Sequence, residues 1–171
     1  MVTNFKMKEK RFIMSYEKGT KSVEDSKTET IHCPQYEDIN GFGRLFGGRL
    51  MEWIDTAAGV CAIRHSGLVV TTAAVDHLEF KSGAYLGDIV VIVAKVVYVG
   101  RSSMDIRVDT YVEDKETGMR RPINRAYLTE VCIDKDGKPV PVPYGIQLSN
   151  ESERAEFEIA KKRRENKRNQ I

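Results

Sequence analysis

The sequence has few cysteines and no long hydrophobic run. Cys33, Cys61 and Cys132 are scattered, odd in number, and include no Cys-X-X-Cys pair, so neither a disulfide framework nor a zinc site is indicated. No apolar run approaches the ~20 residues of a membrane-spanning helix. The apolar cluster at residues 12–14 is too short for the core of a signal peptide. We therefore expect reduced thiols and a cytoplasmic location.

Several short enzyme motifs are also absent. The sequence contains no Gly-X-Ser-X-Gly elbow, no P-loop and no dinucleotide-binding fingerprint, which argues against a serine hydrolase, a nucleoside triphosphatase and a nucleotide-dependent dehydrogenase. His32, His65 and His77 show no spacing typical of a metal site or of a Ser-His-Asp system. We expect no metal and no resident cofactor.

The charges are nearly balanced but unevenly distributed. The net charge is +2, while residues 1–22 carry six Lys/Arg against two Glu and residues 151–171 carry seven against five. The segment between them is therefore mildly acidic, unlike a nucleic-acid-binding domain, which carries its basic stripe on the fold itself. The basic run at residues 161–164 alternates with Glu and is predicted to form a solvated helix face rather than an RNA or membrane site.

The hydrophobic pattern predicts one strand, one buried helix, four further strands and a polar C-terminal helix. The predicted elements are a strand at 28–33, a helix at 48–65, strands at 68–80, 88–99, 104–113 and 124–133, and a helix from about 150. Short links between the strands imply antiparallel neighbours. A curved antiparallel sheet wrapped around one long helix, the α+β hotdog fold, satisfies this order.

Two expectations follow about what surrounds this domain. Strand 88–99 is apolar on both faces except for Lys95, so both faces should be covered, one by the helix and the other by a second subunit. We divide the chain into a mobile N-terminal arm at 1–26, the hotdog domain at 27–148, and a basic helix or tail at 149–171.

Asp55 is the residue of the apolar helix that most needs an explanation. Burying a carboxylate without partners is costly, so it is either a charge that emerges at a surface or a general base or nucleophile. Gly47 and Gly48, at the helix start, leave backbone amides bare, and these can stabilise a developing oxyanion. Asp76, in the first long strand, is the rival carboxylate, although an edge salt bridge also accounts for it.

A second group of residues could bind phosphate. The turn after strand 88–99 offers a cation and two hydroxyls, and two further cations lie at the ends of other elements. These candidates are Gly100, Arg101, Ser102 and Ser103, together with Arg64 and Lys81.

Several segments in register carry a resemblance to a known family. Residues 40–59 (NGFGRLFGGRLMEWIDTAAG), 62–65 (AIRH), 69–80 (VVTTAAVDHLEF), 100–104 (GRSSM) and 137–143 (GKPVPVP) resemble the YciA and brain acyl-CoA hydrolase family. The resemblance covers residues 28–145. It implies hydrolysis of acyl-CoA thioesters to a free acid and CoA, with CoA as product and not as cofactor.

The resemblance also implies the site and the assembly. Its catalytic Asn and Asp fall on Asn40 and Asp55, which different hotdog units usually contribute to one site. It implies dimers that assemble further, often into hexamers. Two alternatives stay open: a hotdog hydratase or dehydratase, which would pair a His with a carboxylate, and a non-catalytic acyl-CoA sensor. The acyl-chain length, the choice between base and nucleophile at Asp55, nucleotide regulation and the role of the tail stay open as well.

Overall fold

A five-stranded antiparallel sheet and one long helix form the centre of the molecule, as seen in a computed structural model that describes residues 16–168. The strand order in this sheet is β2-β4-β5-β6-β3. The elements in chain order are β1 (Thr20–Ser22), α1 (Val23–Ser26), β2 (Thr28–His32), a 3-10 turn (Tyr36–Asp38), α2 (Gly47–Ser66), β3 (Val70–Phe80), β4 (Ile89–Val99), β5 (Ser103–Glu113), β6 (Arg120–Cys132), β7 (Gly145–Gln147) and α3 (Glu151–Arg168). The predicted α+β hotdog fold is confirmed.

Helix α2 packs one face on the sheet and leaves the other open. It ends at Gly67, which takes the left-handed conformation (φ 70°) that favours glycine. Its small and branched residues at helical spacing contact β4, β5 and β6; the fully buried ones are Ile54, Ala57, Ala58, Cys61 and Ala62. The prediction of a buried helix is met on one face only in the single chain, because Asp55, Thr56 and Ile63 are exposed.

The second face of β4 is covered by the chain itself. Val91 and Val97 are buried, and helix α3 packs against this strand. Phe157 of α3 lies on Tyr98 with ring centroids 5.0 Å apart. The expectation that this face needs a second subunit is therefore wrong, because hydrophobic patterning shows that a strand is covered but not by what.

The C-terminal helix is held to the sheet by ion pairs. Arg164 Nη2 lies 2.6 Å from the buried Asp105 carboxylate, and Arg107 pairs with Glu156. The Arg163 guanidinium sits 3.7 Å from the centroid of the Tyr127 ring. The prediction of a solvated helix face is thus wrong for Arg163 and Arg164, although Lys161 and Lys162 are exposed.

Part of the predicted N-terminal arm is structured. Strand β1 pairs in parallel with β7, and Ser22 caps α1, which buries Val23 and Ser26. The prediction of a mobile arm is therefore wrong for residues 20–26. Residues 1–15 of that predicted arm lie outside the described part of the chain. No helix within residues 16–168 is both long and apolar enough to cross a bilayer.

The edge formed by β3 is rich in exposed apolar side chains. In residues 16–168, β3 pairs with β6 on one side and with no strand on the other. Val69, Val75 and Phe80 on or beside β3 are 66%, 41% and 52% exposed, and Phe46 at the start of α2 is 58% exposed. An apolar strand edge of this kind favours pairing with another chain.

Candidate active site

Asp55 lies on the open face of α2 and bonds to the neighbouring strand. The Thr72 hydroxyl of β3 lies 2.6 Å from Asp55 Oδ1. In the single chain Asp55 is exposed, so the expectation of a buried carboxylate is not met within one subunit. The hydrogen bond that Asp55 makes with a described side chain uses Oδ1, and Oδ2 lies on the exposed side of the helix without a described partner.

A second carboxyl group stands directly behind Thr72. Thr72 pairs with Glu130 across the β3–β6 ladder, and Thr72 Oγ1 lies 3.0 Å from Glu130 Oε1. Glu130 is 1% exposed, and its Oε2 atom has no hydrogen-bond partner in the described chain. Burial raises the pKa of Glu130; the Thr72 hydrogen bond opposes this rise and the Asp55 charge adds to it.

The amino end of α2 presents free backbone amides. Phe46 precedes the helix and makes no side-chain capping bond, so the first amides, including those of Gly47 and Gly48, keep unused donors at the positive end of the helix dipole. A Cβ atom at Gly48 would lie 2.6 Å from the Phe46 ring. Glycine at this position therefore lets the aromatic ring lie close to the helix start.

Asn40 stabilises the loop that leads into α2. Its Oδ1 accepts hydrogen bonds from the backbone amides of Phe42 at 2.9 Å and Arg44 at 3.2 Å. Its side-chain amide nitrogen makes no hydrogen bond within the described residues, and no described bond joins Asn40 to Asp55. The loop thus fixes the carboxamide oxygen and leaves the donor free.

The helix start and Asp55 are too far apart in one chain to touch the same atom. Gly48 and Asp55 are seven positions apart on α2, which corresponds to about 10 Å along the helix axis. A hydrogen bond spans about 3 Å. One chain therefore does not bring the two around a single reacting carbonyl.

The phosphate candidates in the β4–β5 turn have different environments. Arg101 is exposed, and its side chain makes no described hydrogen bond. Ser103 Oγ accepts from Arg164 at 3.0 Å, and a Cβ atom at Gly100 would lie 2.8 Å from the same guanidinium. The backbone carbonyl of Ser102 accepts a hydrogen bond from the backbone amide of Cys132 at 2.9 Å. Arg101 is thus the cation of this turn that is exposed and makes no described side-chain hydrogen bond.

The other two cations lie elsewhere. Arg64 Nη1 donates to the Lys27 carbonyl and to Thr28 Oγ1, each at 3.1 Å, which ties β2 to the end of α2. Lys81 directly follows the C-terminal end of β3. This strand is 11 residues long, which corresponds to roughly 35 Å, and the β4–β5 turn lies near its N-terminal end. A single chain does not bring Lys81 and Arg101 together.

Sequence reasoning singled out neither Thr72 nor Glu130. A signal for Glu130 was present, because it shares the inward face of β6 with Ala126, Leu128 and Cys132, which are all buried. Thr72 gave no such signal. The rival carboxylate Asp76 lies four residues further along β3, in an irregular part of the β3–β6 pairing.

Comparison with known proteins agrees with this architecture. Residues 42–119 match the thioesterase superfamily. An uncharacterized acyl-CoA thioester hydrolase of Zymomonas mobilis is 38% identical over 106 residues, or 62% of this chain and 71% of that protein. The uncharacterized acyl-CoA thioester hydrolase YkhA of Bacillus subtilis is 38% identical over 67% of this chain and 66% of its own length. Acetyl-coenzyme A thioesterase of Rattus norvegicus is 35% identical over 71% of this chain, which spans 22% of that enzyme.

Solved structures of acyl-CoA hydrolases have a similar fold. An acyl-CoA hydrolase of Staphylococcus aureus, in complex with butyryl-CoA, CoA and CoA disulfide, superposes with a TM-score of 0.82 at 33% identity, covering 88% of this chain and 92% of that one. An apo-hexameric acyl-CoA thioesterase gives 0.83 at 34% identity, with 89% and 97% covered. The chain therefore belongs to the thioesterase superfamily, and the relatives described here carry the names of acyl-CoA thioester hydrolases and thioesterases.

Proposed function

We propose that this protein hydrolyses acyl-CoA thioesters to a free carboxylic acid and CoA, and that it acts in the cytoplasm as a homo-oligomer. The observation that carries the proposal is Asp55, held by the Thr72 hydroxyl at 2.6 Å on the open face of α2. A relative named cytosolic acyl coenzyme A thioester hydrolase, 30% identical over 83% of this chain, supports the location.

The spacing of the site residues supports their assignment. The S. aureus hydrolase has been solved with one Asn, one Asp and one Thr each replaced by Ala, at positions separated by 15 and 17 residues. The same intervals separate Asn40, Asp55 and Thr72. We assign these three residues to the catalytic site, with Thr72 added to the pair expected from the sequence.

A second copy of the chain would complete this site. Gly48 and Asp55 of one helix are about 10 Å apart. Amides from one subunit and the carboxylate from its partner can instead meet around one thioester carbonyl. The apolar edge at Val75 and Phe80 offers a surface for such a partner. Solved relatives include hexameric thioesterases, and we propose a dimer that assembles into a hexamer.

The chemistry then proceeds as hydrolysis with a general base. Asp55 Oδ2 takes a proton from water as the water oxygen bonds to the thioester carbon. The amides of Gly47 and Gly48, with the Asn40 amide nitrogen, stabilise the negative charge on the carbonyl oxygen. The carbon–sulfur bond breaks, and the CoA sulfur takes up the proton that Asp55 accepted from water, which returns Asp55 to its ionised form. Arg101, with Arg64 and Lys81 from elsewhere in the assembly, would contact the CoA phosphates.

The direct test is release of free thiol from a panel of acyl-CoAs from acetyl to palmitoyl. We expect thiol release with at least one chain length, at a rate proportional to enzyme concentration. A hydratase would change the absorbance of an enoyl-CoA without releasing thiol, and a sensor would bind without turnover. Binding of acyl-CoA with no thiol release across the panel would contradict the proposal.

Replacing Arg101 with Ala is expected to raise KM severalfold with kcat nearly unchanged. A phosphate contact contributes equally to the ground state and the transition state, so its loss weakens binding alone. Lys115→Ala, in the exposed turn at the other end of the sheet, is the matched control and should leave KM unchanged. A collapsed kcat with unchanged KM in Arg101→Ala would contradict the phosphate role.

A further inference from the structure

The cluster of Asp55, Thr72 and Glu130 holds fewer protons than its contacts require if both carboxyl groups are ionised. Thr72 Oγ1 lies 2.6 Å from Asp55 Oδ1 and 3.0 Å from Glu130 Oε1. A threonine hydroxyl carries one proton, so it donates to one of the two oxygens. The other contact is a hydrogen bond only if that carboxyl group carries a proton of its own.

The burial of the two carboxyl groups decides which of them carries this proton. Glu130 is 1% exposed, and its Oε2 atom has no partner in the described chain, whereas Asp55 is open to solvent. A charged oxygen that is buried and unpaired is far more costly than a neutral one. The proton therefore belongs on Glu130.

The groups around Glu130 do not offset a negative charge. It faces Asp55 and Cys61 of α2, Thr72 of β3, and Cys132 on its own strand. Burial raises the pKa of the Cys61 thiol to about 12 and also raises that of Cys132, so both thiols are neutral. Among the side chains that the structure describes, Glu130 forms no ion pair with a Lys, Arg or His, and its hydrogen bond is the one with Thr72.

We propose that Glu130 is a positioning residue, a neutral carboxylic acid that donates its proton to Thr72 Oγ1. Thr72 Oγ1 is then committed as an acceptor on one side, and its own proton points to Asp55 Oδ1. That bond fixes the Asp55 carboxylate with Oδ2 directed to the substrate. The inference rests on the proposed function for its catalytic consequence, although the protonation of Glu130 is independent of it.

This arrangement makes activity sensitive to alkaline pH. The pKa of Glu130 is raised, so the acid is neutral below that pKa and ionises as the pH rises through it. Ionisation removes the donor to Thr72 and leaves two carboxylates competing for one hydroxyl proton. We expect kcat of the wild-type protein to fall reversibly on the alkaline side, with no matching rise in KM.

Glu130→Gln tests the proposal because its amide donates a hydrogen bond to Thr72 but does not ionise. We expect kcat at neutral pH within about threefold of wild type, since the lost bond is replaced by one of similar strength, and no alkaline fall. Glu130→Met, similar in shape but without a donor, should lower kcat roughly tenfold or more relative to wild type at neutral pH and should show no alkaline fall of its own. Glu113→Gln, a more exposed glutamate on β5, should keep the wild-type profile.

Two kinetic results would overturn the proposal. One is a Glu130→Gln profile that keeps the wild-type alkaline fall; the other is a Glu130→Gln kcat as low as that of Glu130→Met, which would mean that the ionised carboxylate is required. Infrared spectroscopy gives a readout without substrate: the wild type should show the carbonyl stretch of a buried protonated carboxyl at neutral pH, and Glu130→Gln should lack it. Absence of that band in the wild type also overturns the proposal, whereas absent thiol release with the band present would overturn only the proposed hydrolysis.

Discussion

Asp55→Asn is expected to lower kcat by roughly 10²–10⁴, the range typical of losing a general base. The substitution keeps the side-chain size and the oxygen that accepts from Thr72 at 2.6 Å, but it removes the oxygen that takes the proton from water. The fold should survive, because Asp55 is exposed in the chain and forms no ion pair within residues 16–168. Steady-state thiol release, with circular dichroism as a check on folding, measures the effect.

Two matched carboxylates make this test specific. Asp76→Asn changes the rival carboxylate of β3, and Glu52→Gln removes a charge one turn away on α2, where Glu52 pairs with Arg49 at 2.7 Å. Both variants should keep kcat within a few-fold of wild type. A comparable loss in Asp76→Asn, with Asp55→Asn still active, would mean that the wrong carboxylate has been assigned.

The hydrophobic pattern was sufficient to predict the central elements. The helix expected at 48–65 is observed at Gly47–Ser66, and the strand expected at 88–99 is observed at Ile89–Val99. These elements bury their apolar residues against each other, so periodicity within each segment reflects their packing. The same pattern does not identify which element covers a strand. It therefore does not distinguish α3, which covers the second face of β4, from a second subunit.

The site was only partly predictable for a related reason. Asp55 was conspicuous because a carboxylate among apolar helical residues is unusual. Its contact with Thr72 depends on how α2 packs against β3, and that of Thr72 with Glu130 depends on the register between β3 and β6, which shifts after Thr72. Strand register across irregular pairing is set by tertiary packing, so neither contact could be read from the spacing of residues along the chain.

A large loss of activity is also expected on changing Asn40, and it tests whether two subunits share one active site. Asn40→Asp keeps an oxygen to accept the loop amides of Phe42 and Arg44 but removes the free amide donor and adds a charge beside the developing oxyanion. We expect this variant, like Asp55→Asn, to be nearly inactive alone. If one subunit supplies Asn40 and its partner supplies Asp55, a mixed dimer has one site with both substitutions and one with neither.

The most direct test of a two-chain thioesterase site is therefore complementation. Asn40→Asp and Asp55→Asn chains are unfolded and refolded together at equal ratio, and thiol release is compared with that of each variant refolded alone and of refolded wild type. Because half of the dimers formed at random are mixed and each contains one intact site, we expect recovery of about a quarter of wild-type activity. Activity no higher than that of the separate variants, in a mixture whose chains are demonstrably co-assembled, would contradict it.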